Sequence, residues 1–281
     1  MAIDIPKTRA IAPWFGCARK LAAEVGELLR HCRWVGIPFA GGLPEVIYLP
    51  AQTIVAADLH RHVINLARAM ADPIKGASLY RRLRRLPCCR EVLTESQAWL
   101  KENPDRPIDG LDETAAYHYF IASWMGRSAK AGAVDEWTSP NVSLRWNARG
   151  GDSVLKFRSA ANSIPVWRRV LSRVTLLVVD CFEFLAHCQD LADHGIYADP
   201  PFPGPGEQYK HALSEADHRK LARVLAGFHK ARVVCRFYDH PLIRELYPEE
   251  KWLWRRYKAR NQRGAAREDL LLTNERGRRL F

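Results

Sequence analysis

Three short apolar runs, each ending in an aspartate, constrain this chain more than any other feature. Thr53-Ile-Val-Ala-Ala leads into Asp58, Val174-Thr-Leu-Leu-Val-Val into Asp180, and Gly195-Ile-Tyr-Ala into Asp199. A short apolar run followed by a turn and a helical pattern marks a strand-helix unit of a parallel sheet. After Asp58 the helix spans His60 to Met70, with Val63, Leu66, Ala67 and Met70 on one face. Trp34 to Phe39, followed by Gly41-Gly42, forms an earlier unit of the same kind. Ligands collect beyond the carboxyl ends of strands in an open parallel sheet, so the three aspartates are expected to face one crevice.

From Ala71 to Ser163 this pattern stops and the sequence becomes charged, aromatic and turn-rich, which reads as an insertion. The expected organisation is therefore 1–70, an insertion over 71–163, and 164–281. Near its start the insertion carries Arg81-Arg82-Leu83-Arg84-Arg85, which reads equally well as a solvated helix face or as a row of phosphate contacts. Further on, Ser214-Glu-Ala-Asp217 is a capping box opening a helix through Leu225. Arg232 to Phe237 predicts another strand and Asp269 to Thr273 a last one, while Lys251 to Lys258 alternates aromatic and basic residues.

The 281 residues are 47% hydrophobic, enough to bury a full core, and carry a formal charge of +12, which attracts polyanions and nucleic acid first among them. No apolar run reaches the roughly 18 residues of a spanning helix, and the first ten residues lack a signal peptide's apolar stretch. A soluble cytoplasmic protein with no membrane partner is expected. Seven cysteines without a Cys-x-x-Cys pair argue against a disulfide framework. Cys88 and Cys89 are adjacent and ill-placed to share one metal, so none is expected.

The most specific chemical signal is Tyr197-Ala-Asp199-Pro200-Pro201-Phe202. A double proline after a strand freezes the chain as it leaves the sheet and turns its carbonyls into fixed acceptors. Asp199 can accept a hydrogen bond from an exocyclic amino group, a proline carbonyl can take its second hydrogen, and Phe202 can stack on the base. Pro38-Phe39-Ala40-Gly41-Gly42 closes the first strand, and its glycines permit close backbone approach by a nucleoside or amino-acid ligand. Asp58 has the place of a ribose-hydroxyl acceptor, and Asp180, with Phe182, could meet an adenine amino group and ring. Each aspartate could instead cap a helix.

The order Pro13-Trp14-Phe15-Gly16 with Arg19-Lys20, Pro38 to Gly42, Asp58, a long insertion, Asp180 and Asp199-Pro-Pro-Phe202 resembles the Dam-type DNA adenine methylase family, particularly its phage-like members. Tyr209-Lys210-His211, Asp217-His218, Leu246-Tyr247 and Leu271 to Asn274 are similar to the pieces that follow the Asp-Pro-Pro motif there. The likeness spans nearly the whole chain. It implies a Rossmann-like α/β domain using S-adenosylmethionine, with an inserted, mainly helical target-recognition region. Trp14, Phe15, Gly16, Lys20, Pro38, Phe39, Ala40, Gly41, Gly42, Asp58, Asp180 and Phe182 would form the donor site. Asp199, Pro200, Pro201 and Phe202 would hold the target base. Arg81, Arg82, Arg84, Arg85 and Arg145, with Tyr209, Lys210 and His211, would contact double-stranded DNA. The chain departs from the family at Cys17-Ala18-Arg19, where a second Gly and a Lys are frequent, and at Ile37, where an acidic residue is.

The expected activity is that of a site-specific DNA-methyltransferase acting on the N6 amino group of a flipped adenine, alone or beside a cognate restriction enzyme. Transfer to adenine in RNA or to the N4 amino group of cytosine in DNA is open as well, since the same clamp suits any planar NH2 group. So is a catalytically silent nucleic-acid-binding protein of the same fold.

Overall fold

The computed structural model describes residues 8–14, 20–104, 110–126, 131–134, 136–137, 142, 152–260 and 266–274. In chain order the strands and α-helices are α1 (Ala22–Leu28), β1 (Trp34–Ile37), β2 (Thr53–Ala57), α2 (Arg61–Ala71), α3 (Pro73–Arg85), α4 (Arg90–Glu102), α5 (Glu113–Met125), α6 (Ser153–Leu171) and β3 (Val174–Leu177). They continue with α7 (Cys181–Ala186), β4 (His194–Ala198), α8 (Glu215–Ala226), β5 (Arg232–Tyr238), α9 (Pro241–Leu246), β6 (Trp252–Arg260) and β7 (Ala266–Asn274). The chain is α/β with a mostly parallel seven-stranded sheet, compatible with a Rossmann-like fold. It divides into two compact units, one of Met1–Arg19, Gly41–Ile47 and His60–Val178, the other of Lys20–Ala40, Tyr48–Leu59 and Val179–Phe281.

The second unit holds six strands in the order β2-β1-β4-β5-β7-β6. β1 pairs in parallel with β2 on one side and β4 on the other, and β4 pairs in parallel with β5. β7 runs antiparallel to β5, and β6 antiparallel to β7, from Trp252 opposite Asn274 to Arg260 opposite Ala266. The chain thus moves outward one way from β1 to β2, and the other way from β4 to β5. That reversal makes the β1/β4 boundary a topological switch point, the place beyond the carboxyl ends of the strands where ligands of open α/β sheets bind.

Local chemistry sets the strand ends. β1 stops at Ile37 because Pro38 has no N–H to donate to a ladder. β4 stops at Ala198, just before Asp199-Pro200-Pro201. The capping box at α8 is present: Ser214 Oγ accepts the Asp217 N–H at 3.2 Å and Asp217 Oδ2 accepts the Ser214 N–H at 3.0 Å. Asp190 closes the turn before β5 by accepting the N–H groups of His229, Lys230 and Ala231.

Among the described residues the first unit is mainly helical, and three of its helices start on an aspartate cap and a fourth on a histidine. Asp72, Asp112 and Asp152 accept first-turn N–H groups of α3, α5 and α6, and His60 Nδ1 accepts the Val63 N–H of α2. The N-terminal segment is tied to these helices through its backbone. Arg9 donates its N–H to Ser163 Oγ at 2.9 Å, and the Arg9 and Ile11 carbonyls accept the indole N–H groups of Trp167 and Trp124. Among the described residues, no helix is long and apolar enough to cross a membrane.

Candidate functional site

Parallel pairing brings the carboxyl ends of β1, β2 and β4 to one edge of the second unit's sheet. Phe39 and Ala40 leave β1 there, Asp58 follows β2, and Asp199 follows β4. The Ala40 N–H donates to the Ala57 carbonyl at 2.8 Å, which ties the exit of β1 to the end of β2. Pro38 and Ala40 are buried while Phe39 and Asp58 are half-buried. Asp58 does not cap α2, since His60 does. Asp180 does cap its helix: its Oδ1 accepts the Phe182 N–H at 2.8 Å. The half-buried Phe182 ring carries the Lys220 ammonium 3.9 Å from its centroid. Lys20 is exposed ahead of α1.

Asp199 is the most elaborated position. Its side chain is 18% exposed, and both its oxygens accept from Arg236 Nη1, at 3.3 and 3.2 Å. Arg236 lies on β5 and is 1% exposed, and its Nη2 donates to Asp269 Oδ2 on β7 at 3.2 Å. Burial pushes the Asp199 carboxyl up from its ordinary value, against the guanidinium, which pulls it down. Burial also works against the charge on Arg236, but its carboxylate neighbours outweigh that and the proton is held more firmly than usual.

Phe202 does not stand open beside Asp199. Its ring is 7% exposed and belongs to the core, with Phe237 at 5.9 Å and Tyr238 edge-on at 4.2 Å between centroids. The Arg236 guanidinium lies 5.2 Å from the same ring. Pro200 is buried and Pro201 half-buried. Tyr209 is half-buried, and Lys210 and His211 are exposed between Phe202 and α8.

In the first unit, close approach at Gly41, an expected position, and at Gly132, which is not one, is made by the protein's own indole. A Cβ on Gly41, at φ +46°, would meet Trp14 Nε1 at 2.9 Å, and one on Gly132, at φ +86°, would meet Trp14 Cζ2 at 2.6 Å. Both the positive φ and the contact require glycine there. Gly42 is close to the Ala12 carbonyl and to Trp14 Cβ. Beside Trp14, His60 Nε2 lies 3.0 and 3.1 Å from the Glu136 oxygens, and the Gly132 N–H donates to Glu136 Oε2 at 2.9 Å. Phe15, Gly16 and Arg145 lie outside the described residues.

The four arginines of α3 are exposed but differ in what they touch. Arg82 reaches Glu113 at 3.4 Å and lies 4.0 Å over the Tyr117 ring. Arg84 turns onto Tyr80, and its carbonyl, with that of Leu86, accepts the Arg158 guanidinium. The side chains of Arg81 and Arg85 make no hydrogen bond or ion pair with any described residue. Arg82, Arg84 and Arg85 also complement the carbonyl end of the helix dipole.

Sequence reasoning missed Arg236, Asp269 and Glu136. For Arg236 a signal existed: an arginine in the middle of the apolar strand Arg-Val-Val-Cys-Arg-Phe-Tyr must find a buried partner. No protein-family profile matches the chain, and none of the curated protein sequences compared with it matches.

Proposed function

We propose that the chain is an adenine-specific DNA-methyltransferase that transfers the methyl group of S-adenosylmethionine to the N6 amino group of a flipped-out adenine. The observation that carries this reading is the place of Asp199. It is a partly exposed carboxylate followed by two prolines, at the carboxyl end of β4 and beside β1, where the strand order reverses. The trio Asp199, Arg236 and Asp269 formally holds two negative charges against one positive, so the site favours an incoming hydrogen-bond donor such as an amino group.

The residues at the same edge fit the donor. Asp58 and the half-buried Phe39 and Phe182 would hold its ribose and adenine. When bound, the donor supplies a methyl group already activated on a sulfonium. Asp199 needs only to orient the amino nitrogen and the prolines to fix the chain around it, because alignment is the main requirement for in-line attack. Asp199 carries more of this reading than Phe202, whose ring is almost wholly buried.

The test is to incubate the protein with labelled donor and, in separate reactions, adenine-containing duplex DNA and RNA, then digest each nucleic acid and identify the methylated nucleoside. N6-methyladenine is the expected product; N4-methylcytosine, or label in RNA alone, would replace the reading by its nearest relatives. The contact made by Arg236 with both Asp199 oxygens favours a second reading, a nucleic-acid-binding protein without transfer. DNA binding with no calorimetric signal for the donor would select it.

For the DNA contact, Arg81 and Arg85 are the α3 side chains available to phosphates. Replacing either with alanine is expected to reduce the slope of log affinity against log salt by about one unit. Arg82→Ala should instead cost helix packing against Glu113 and Tyr117 and leave the slope nearly unchanged. An unchanged slope in the double variant of Arg81 and Arg85 would move the DNA off this helix.

A further inference from the structure

The register of the sheet places three charged groups on one face. Ala198 of β4 pairs with Cys235 of β5, so the residues that follow, Asp199 and Arg236, lie side by side. Arg236 in turn is opposite Leu271 of β7, and Asp269 is two residues along β7, hence on the same face as Leu271. The guanidinium is planar, so its hold on Asp269 through Nη2 fixes where Nη1 meets the two Asp199 oxygens. The Phe202 and Tyr238 rings, 5.2 and 5.8 Å from the guanidinium carbon, limit its movement further.

We infer that Arg236 is a positioning residue. Anchored on Asp269, it fixes the Asp199 carboxylate in one orientation and keeps it an anionic acceptor. The inference rests on the reading of Asp199 as the acceptor for the substrate amino group. A single guanidinium nitrogen between both oxygens of a carboxylate leaves each oxygen with a lone pair to accept a further hydrogen bond. A neighbouring fixed cation also makes the carboxylate a weaker base, so it accepts a hydrogen bond without taking the proton. The groups facing Asp199 are Tyr197, two residues before it in the chain, Arg236 on β5 and Asp269 on β7, while Tyr238 on β5 acts on Arg236. Arg236 pulls the Asp199 carboxyl down and Asp269 pushes it up, so removing one or the other must move it in opposite directions.

The experiment follows the Asp199 carboxyl carbon by NMR against pH in the full chain, and the pH profile of single-turnover methyl transfer, in wild type, Arg236→Gln, Arg236→Lys and Asp269→Asn. Arg236→Gln should raise the Asp199 midpoint by about one unit or more, and Asp269→Asn should lower it, with the acid limb of transfer following each. Arg236→Lys should keep the midpoint near wild type and slow transfer, because a point charge keeps the field but loses the fork. If Arg236→Gln does not fold, Asp269→Asn decides alone. Midpoints and acid limbs that stay at the wild-type position would overturn the inference and leave the trio a purely structural pair of ion bonds. The NMR midpoint needs no methyl transfer, so a wild-type protein that transfers nothing sinks the proposed function and leaves this test standing.

Discussion

Asp199→Ala is expected to reduce single-turnover methyl transfer to duplex DNA by about a hundredfold or more, because the amino nitrogen loses the acceptor that aligns it. Donor and DNA affinities, measured on the same protein, should stay within a few-fold, since the side chain is one acceptor among many contacts. Arg236 keeps Asp269 as a partner in this variant, which spares the fold the cost of an entirely uncompensated buried charge. Asp199→Asn, which keeps one acceptor oxygen, should fall between. Burial raises the Asp199 carboxyl from its ordinary value, so the anionic acceptor forms only as pH rises through that raised value. Transfer should therefore fall on the acid side above the ordinary carboxylate range. The linked stability has the opposite sense, greatest in acid and lost as pH rises through the folded-state value. An Asp199→Ala protein that transfers at the wild-type rate would show that Asp-Pro-Pro-Phe is only a rigid turn.

Phe202→Ala is expected to cost about 3–5 kcal/mol of folding stability, measured by urea denaturation, as for other large aromatic side chains removed from a core. The ring packs on Phe237 and Tyr238 and lies close to Arg236, so the cavity opens beside that guanidinium. From the sequence, Phe202 reads as a stacking face, and its loss would weaken base capture with the fold intact. Its burial reverses the order of these effects, and stability should change before affinity does. A loss below about 1 kcal/mol would show that the ring is not part of the core and restore the stacking role.

Much of the architecture was legible along the chain, because buried parallel strands and capped helices write their own local signatures. Trp34, Thr53, Val174, Gly195 and Arg232 all begin or lie within observed strands, and Ser214 caps the helix its spacing announced. Lys251 to Lys258 was legible only as an alternation. It forms most of β6 because β7 lies alongside it to pair with, a partner that no local pattern names. Asp180 illustrates a different limit. An aspartate after a strand serves equally as ligand acceptor or helix cap, and only the Phe182 N–H at 2.8 Å shows the cap.

The sequence by itself determined the strand-helix order, the double proline that ends β4, and the aspartate in front of it, since each depends on a residue's own backbone chemistry and near neighbours. Only the tertiary structure decided what surrounds that aspartate. Asp199, Arg236 and Asp269 are far apart in the chain and meet because β4, β5 and β7 are adjacent in the sheet with a register that puts them on one face. The same holds for Trp14, whose indole fills the space that Gly41 and Gly132 leave. Strand register and side-chain packing are properties of the assembled sheet and core, and a residue's partners across them cannot be read from its spacing along the chain.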